Sequence, residues 1–121
     1  LNHLQERALD YTLSFRELAG QLEAAGTPRF ADVEGRWRQR VADQSVPAEA
    51  VVSLMNSVNP CYIPRNHRVE QAIERAVGGD YSIFTELNLV LARPFDPQPE
   101  FARYAEAPAP HERVLRTFCG T

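Results

Sequence analysis

From Asn66 to Leu91 the chain reads NHRVEQAIERAVGGDYSIFTELNLVL, and these residues decide the fold class. Val69, Ala72, Ile73, Ala76 and Val77 recur at offsets of three, four, seven and eight, the spacing that lines up one face of an α-helix. Asn66 is a candidate N-cap for that helix, and Gly78-Gly79-Asp80 is a stop signal. Asp80 or Ser82 then caps a second helix bearing Ile83, Phe84, Leu87, Val90 and Leu91, and Pro94 ends it. Two helices joined by so short a loop make an αα-hairpin.

The same periodicity extends outward. Leu1, Leu4, Ala8 and Tyr11 mark a first short helix. Phe15, Leu18, Ala19, Leu22 and Ala25 mark a second, with Thr12 as its expected N-cap and Gly26 as its stop. After the turn signal Thr27-Pro28 comes a third stripe, Phe30, Val33, Trp37 and Val41, in which Gly35 costs about 1 kcal/mol relative to alanine. Pro47, following Ser45, opens a fourth helix with Val51, Leu54, Met55 and Val58. Pro60 and Pro64 then bracket a non-helical break before the hairpin. Between Pro94 and Pro110 five prolines fall in seventeen residues, so the chain there runs extended, with at most one helical turn around Phe101 to Tyr104. Order is expected to return around Val114, Leu115 and Phe118. No stretch alternates with period two long enough to build a sheet, and no repeat of fixed period occurs. The expectation is an all-α fold, a small multi-helix bundle with one αα-hairpin: residues 1–93 helical, residues 94–121 an extended proline-rich tail ending in a near-terminal cysteine.

Composition narrows the chemistry. The chain has 121 residues, 44% hydrophobic and 24% charged, enough for one small core or a piece of a larger one. Thirteen basic and sixteen acidic residues give a formal net charge of -3 with no basic block, which argues against nucleic-acid binding through phosphate neutralisation. All thirteen basic residues are arginine. Without lysine there can be no P-loop phosphate lysine, no Schiff base and no strand lysine of a kinase-like nucleotide site on this chain. No apolar run reaches membrane-spanning length, so no membrane partner is expected. The opening Leu-Asn-His reads as a piece of a longer protein, and two cysteines are too few to staple a secreted domain, which makes a reducing compartment, the bacterial cytoplasm, the default.

Three constellations could carry chemistry. The break Asn59-Pro60-Cys61-Tyr62-Ile63-Pro64-Arg65-Asn66 combines two dihedral-fixing prolines, two turn-forming asparagines and the planar donor fork of Arg65. It reads either as a rigid recognition loop or as a helix-to-helix corner whose asparagines cap backbone and whose arginine pairs internally. Cys119, beside Phe118 and Gly120, reads as a redox-active thiol on an accessible tail or as an idle one. Cys61 is the packed, inert thiol, and whether the two reach the roughly 7 Å Cα separation of a disulfide is a geometric question left open at this stage. His3, His67 and His111 stand apart at no metal-ligand spacing, so no metal site is expected. Glu6, Glu17, Glu23, Glu70, Glu74 and Glu86 read as solvated helix-face charges, with Glu70 and Glu74 near Arg68 and Arg75 as surface pairs.

The stretch from Met55 to Asn66 (MNSVNPCYIPRN), then Gln71-Ala72-Ile73, Gly79-Asp80-Tyr81-Ser82 and Pro94 to Glu100 (PFDPQPE), resembles the C-terminal end of the selenoprotein O family. So do Asp10 to Phe15 (DYTLSF) and the terminal Cys119-Gly120-Thr121. Order and approximate spacing match over nearly the whole chain. The resemblance implies a kinase-like parent that transfers AMP from ATP to Ser, Thr or Tyr hydroxyls of proteins with Mg2+ or Mn2+, its catalytic core upstream of residue 1. It implies that this piece binds no cofactor of its own and holds no catalytic residue, in keeping with the missing lysine and the lack of a glycine-rich loop. Cys119 matches the family's near-terminal cysteine, selenocysteine in animal members, which is thought to bridge to a cysteine of the kinase-like part and make activity redox-sensitive. Asn59, Pro60, Tyr62, Arg65 and Asn66 match the central motif, whose role in the family looks architectural. The chain differs from the family at Cys61, where lysine is usual, at Pro64, where leucine is usual, at His67, where tyrosine is usual, and at Gly120-Thr121, which replace a serine pair.

Two function classes follow. In the first the chain is the C-terminal helical segment of a protein adenylyltransferase, packed against the upstream kinase-like core on the protein-substrate side, with Cys119 as a redox latch. In the second it is a non-enzymatic helical module that buries its stripes on a partner chain. An apolar patch around Phe15, Trp37 or Phe84 favours the first, and dimerisation of the isolated piece across that patch would then be incidental. A small thiol oxidoreductase, the third option, has no Cys-x-x-Cys to support it.

Overall fold

A computed structural model describes residues 1–20 and 30–116, with Asp32 described by its backbone alone. Every regular element in that range is helical: α1 (Asn2–Glu6), α2 (Tyr11–Gly20), α3 (Ala31–Asp43), α4 (Ala48–Val58), α5 (Asn66–Val77) and α6 (Ser82–Leu91), followed by 3-10 turns at Pro99–Tyr104 and Pro110–Glu112. The all-α reading therefore holds among the described residues. Two compact units arise, Leu1–Cys61 and Tyr62–Thr121.

In the first unit the expected first helix, Leu1 to Tyr11, ends at Glu6, and Tyr11 belongs to the second. After Glu6 the chain turns at Ala8 with φ +49, its N–H donating to Gln5 O (3.1 Å) while Leu9 N donates to Leu4 O (2.9 Å). This pair of bonds is a Schellman C-cap, built here on alanine where glycine is usual. Asp10, not Thr12, starts α2: its Oδ1 accepts from Leu13 N (2.9 Å) and its carbonyl from Ser14 N (3.0 Å), satisfying amides of the first turn. The expected stop at Gly26 and turn at Thr27-Pro28 lie outside the described residues. Helix α2 packs on α4, with Ala19, Phe30 and Val52 in the core. Arg16 Nη1 reaches Asn56 O (3.1 Å) and Asn59 O (3.0 Å), so a guanidinium from α2 supplies donors to carbonyls at the C-terminal end of α4. Phe15, Trp37 and Phe30 line an apolar cavity of about 240 Å3.

The second unit contains the αα-hairpin. Its turn is a full Schellman motif: Gly79, at φ +87, donates to Ala76 O (2.9 Å) and Asp80 N donates to Arg75 O (2.9 Å). Asp80 Oδ1 then accepts from Ser82 N (3.0 Å), but the N-cap position of α6 falls to Tyr81, which makes no side-chain cap, and not to Asp80 or Ser82. Asn66 does not cap α5 with its side chain; Arg65 holds the N-cap position. The expected stripe of α5 is only partly interior. Ala72 is buried and Val69 half-buried, but Ile73 and Val77 are exposed, while the polar His67 is buried. On α6, Leu87 and Val90 are buried and Phe84 is exposed. Arg75 pairs with Asp80 at 3.6 Å and Arg68 approaches Glu106 at 3.7 Å, so neither joins Glu70 or Glu74 in the surface pairs expected from helix spacing.

Candidate functional site

The central motif straddles the boundary between the units, and its residues divide their work accordingly. Asn59 finishes the first unit: its Nδ2 donates to Met55 O (2.8 Å), tying off the last turn of α4, and its own carbonyl receives Arg16. Pro60 follows in the non-helical link, and Cys61, half-buried, ends the unit.

Tyr62 opens the second unit as a buried peg. Its backbone N–H donates to Pro94 O (3.1 Å). Its hydroxyl donates to Gln98 O (2.8 Å) and accepts from Gln98 N (3.0 Å). Gln98 is itself buried, and its Nε2 donates to Val90 O and Arg93 O, both at 3.0 Å. One phenol and one amide thus clamp the motif loop, the end of α6 and the proline-rich stretch together. Two segments that stand far apart in sequence and share the resemblance are in direct contact, with the Tyr62 hydroxyl and the Gln98 N–H, carbonyl and Nε2 all engaged.

Arg65 and His67 are 6% and 4% exposed. The Arg65 carbonyl accepts from Arg68 N (2.9 Å) and Val69 N (3.0 Å), which starts α5. Asn66 is exposed on the first turn. Around this helix start, Ile63 to His67 and residues 108 and 112–115 enclose a cavity of about 430 Å3. Burial, then the neighbouring Arg68, holds the His67 imidazole below its ordinary value of 6.5, so the ring is neutral at pH 7. Its Nε2 is buried with no hydrogen-bond partner. Glu112, on the cavity wall, accepts from Ala109 N (2.9 Å), and that bond holds its carboxyl below the usual range.

A second polar cluster lies behind the hairpin. The buried Tyr104 donates to Glu86 Oε2 (2.6 Å), Arg103 pairs with the same carboxylate, and the Arg103 guanidinium sits 5.0 Å from the centre of the Tyr104 ring. The Tyr104 hydroxyl, helped by Arg103, holds the Glu86 carboxyl below the usual carboxylate range, while burial pushes the Tyr104 phenol up. Glu86 is therefore a structural acceptor, not the purely solvated charge that its place on the helix face indicated.

Asn59 and Tyr62 bind backbone groups through their side chains, and the Arg65 carbonyl receives the first amides of α5. Gln98, His67, Arg16 and the Glu86–Tyr104 pair were not singled out from the sequence as working parts. Gln98 had a signal in its place within the proline-rich motif, and His67 in standing where the family usually has tyrosine. Cys119 lies outside the described residues. Among the described residues no three His, Cys, Asp or Glu side chains converge on a metal position, and no helix is long and apolar enough to cross a membrane.

No protein-family model matches the chain. Bacterial relatives do. The chain is 50% identical over its whole length to the protein nucleotidyltransferase YdiU of Rhizobium etli strain CIAT 652, of which it spans 27%. It is 49% identical over 93% of its length to the protein of the same name from Bradyrhizobium sp. strain BTAi1, spanning 25% of it. With the Bradyrhizobium diazoefficiens protein of that name it shares 43% identity over its whole length, again spanning 27%. The chain thus covers about a quarter of each of these relatives.

Proposed function

We propose, from the premise that this chain is a segment of the selenoprotein O family represented by protein nucleotidyltransferase YdiU, that its parent transfers AMP from ATP to Ser, Thr or Tyr hydroxyls of proteins, and that this chain is a non-catalytic, regulatory or substrate-side part of it. The observation that carries the reading is identity of 43–50% to these nucleotidyltransferases across 93–100% of the chain. The residue inventory agrees with the division of labour. The chain offers neither a lysine nor a glycine-rich loop for nucleotide phosphates. ATP and Mg2+ or Mn2+ belong in this reading to the rest of the parent, and no step of the reaction runs through residues of this chain.

Packing against the kinase-like core of the same protein is supported by apolar side chains left outside both units. Leu54 and Val58 project from α4, and in the hairpin Val77 is 85% and Phe84 54% exposed. The Tyr62–Gln98 lock ties the motif loop to the end of α6 within the second unit. Cys119 is in this reading a redox latch to a cysteine elsewhere in the parent, closing a loop whose lost chain entropy is worth up to several kcal/mol, and the working compartment is the bacterial cytoplasm.

ATP-dependent AMP transfer by the intact parent, measured under oxidising and reducing conditions with a Cys119→Ser variant alongside, tests both parts. Redox-dependent transfer that the variant abolishes supports the latch. Transfer indifferent to redox state and to the variant removes the latch and keeps the enzyme, while absence of any transfer removes the adenylyltransferase reading.

A further inference from the structure

Helices α1, α2 and α3 of the first unit leave a space between them. Leu4 of α1, Phe15 and Leu18 of α2, Phe30 at the start of α3 and Trp37 within it surround an apolar cavity of about 240 Å3. Ser14, on the first turn of α2, borders the same cavity; it is 1% exposed, and its Oγ has no hydrogen-bond partner. The capping bonds of that turn run instead between Asp10 and the amides of Leu13 and Ser14. A hydroxyl left unpaired in an apolar interior is unfavourable, and native folds keep few of them. Among the described residues no carboxylate or guanidinium borders the cavity, so nothing on its wall compensates a charged ligand. His3 borders it too, its ring tilted against Phe30 at 6.2 Å between centroids, as part of the wall.

We propose that this cavity binds a small neutral aromatic molecule with one hydrogen-bonding group, its rings among Phe15, Phe30 and Trp37 and its polar atom on Ser14 Oγ. An apolar cavity of about 150 Å3 stays dry and takes up benzene. At about 240 Å3 this one has room for two fused rings. Aromatic walls favour a flat ligand, because offset and edge-to-face ring contacts add to the gain from buried area. A serine hydroxyl both donates and accepts, so one N–H or O–H on the ligand suffices to pair it. The site is independent of the AMP-transfer reading and stands or falls without it.

Hydrogen–deuterium exchange on the intact parent protein tests the assignment, with indole as the probe and indene, which has the same two rings without the N–H, as its match. Indole is expected to slow exchange in residues 2–6, 13–18 and 30–37. Ser14→Ala should raise the half-saturating concentration of indole about threefold to tenfold, the worth of one hydrogen bond, and leave that of indene unchanged. Without ligand the same variant should be as stable as the wild type or more so, since the hydroxyl it removes has no partner. Val33→Phe, which grows the cavity wall into the space, should abolish uptake of both probes. No slowing of these residues at about 2 mM indole, the result expected if the rest of the parent fills the space, would overturn the proposal. So would a Ser14→Ala variant that weakens indole and indene alike or loses stability without ligand, and so would indoleacetate binding as well as indole.

Discussion

Replacing Tyr62 by phenylalanine removes one oxygen atom and should cost the fold more than any exchange of similar size elsewhere in the second unit. The hydroxyl serves two backbone groups at once, donating to Gln98 O at 2.8 Å and accepting from Gln98 N at 3.0 Å, and both residues are buried. Phenylalanine keeps the packing and leaves a gap too small for a replacing water. A buried group left unsatisfied costs about 1–3 kcal/mol. With two such groups and partial relaxation, the expected loss is about 2–4 kcal/mol, a large share of the roughly 5–15 kcal/mol that holds a domain folded. Urea unfolding followed by circular dichroism should show a lower midpoint at unchanged slope, and the melting temperature should fall by about 10 °C. Tyr81→Phe, where the ring is exposed, is the matched control and should stay within about 0.5 kcal/mol. In hydrogen exchange the Gln98 amide should lose its protection. A Tyr62→Phe variant as stable as its control would refute the lock and with it the explanation of why the two motifs occur together.

Two further outcomes follow from single groups. Gly79→Ala puts a Cβ at φ +87 and should destabilise by about 1–2 kcal/mol, whereas Ala8→Gly, at φ +49 in the same kind of turn, should be neutral or stabilising; thermal melts of the two variants, with opposite signs, check the pair. His67, held below its ordinary 6.5 in the folded state by burial and Arg68, binds its proton more readily when unfolded. Its contribution is therefore present above about pH 6.5 and is lost as pH falls toward its folded value. Urea midpoints should decline between pH 7.5 and 5.5 by about as much as a single shifted histidine allows, and His67→Gln should flatten that decline; equal slopes in both proteins would contradict it.

The helical character and its punctuation were legible in the sequence because they are local. Gly78-Gly79 had to end α5, since glycine takes the left-handed C-cap without strain, and Asp80 accepts the amide of Ser82 as the chain turns into α6. Pro94 had to stop α6 for want of an N–H. Where a local signal competed with another, the reading shifted: Asp10 outranked Thr12 as a cap, and Ala8 accepted a conformation that favours glycine, so the first helix ends at Glu6 and Tyr11 passes to the second. Asn66, although placed where a cap belongs, leaves the N-cap position to Arg65.

Which face of each helix is interior was not local and was decided only by tertiary structure. The period of α5 names a stripe but not how much of it finds a partner, and the stripe is covered at Ala72 and open at Val77, while His67 is buried on the same helix. Tyr62 and Gln98 are 36 residues apart, and nothing in either local sequence announces a bond between them. Glu86 reads as solvated from its residue type alone, and only the fold brings Tyr104 and Arg103 back along the chain to meet it. The sequence by itself determined helices, turns and the exclusion of lysine chemistry, since these depend on residue type and near neighbours. The structure decided the lock, the buried imidazole and the cavity at the start of α5, because each needs groups brought together through space by the whole of the second unit.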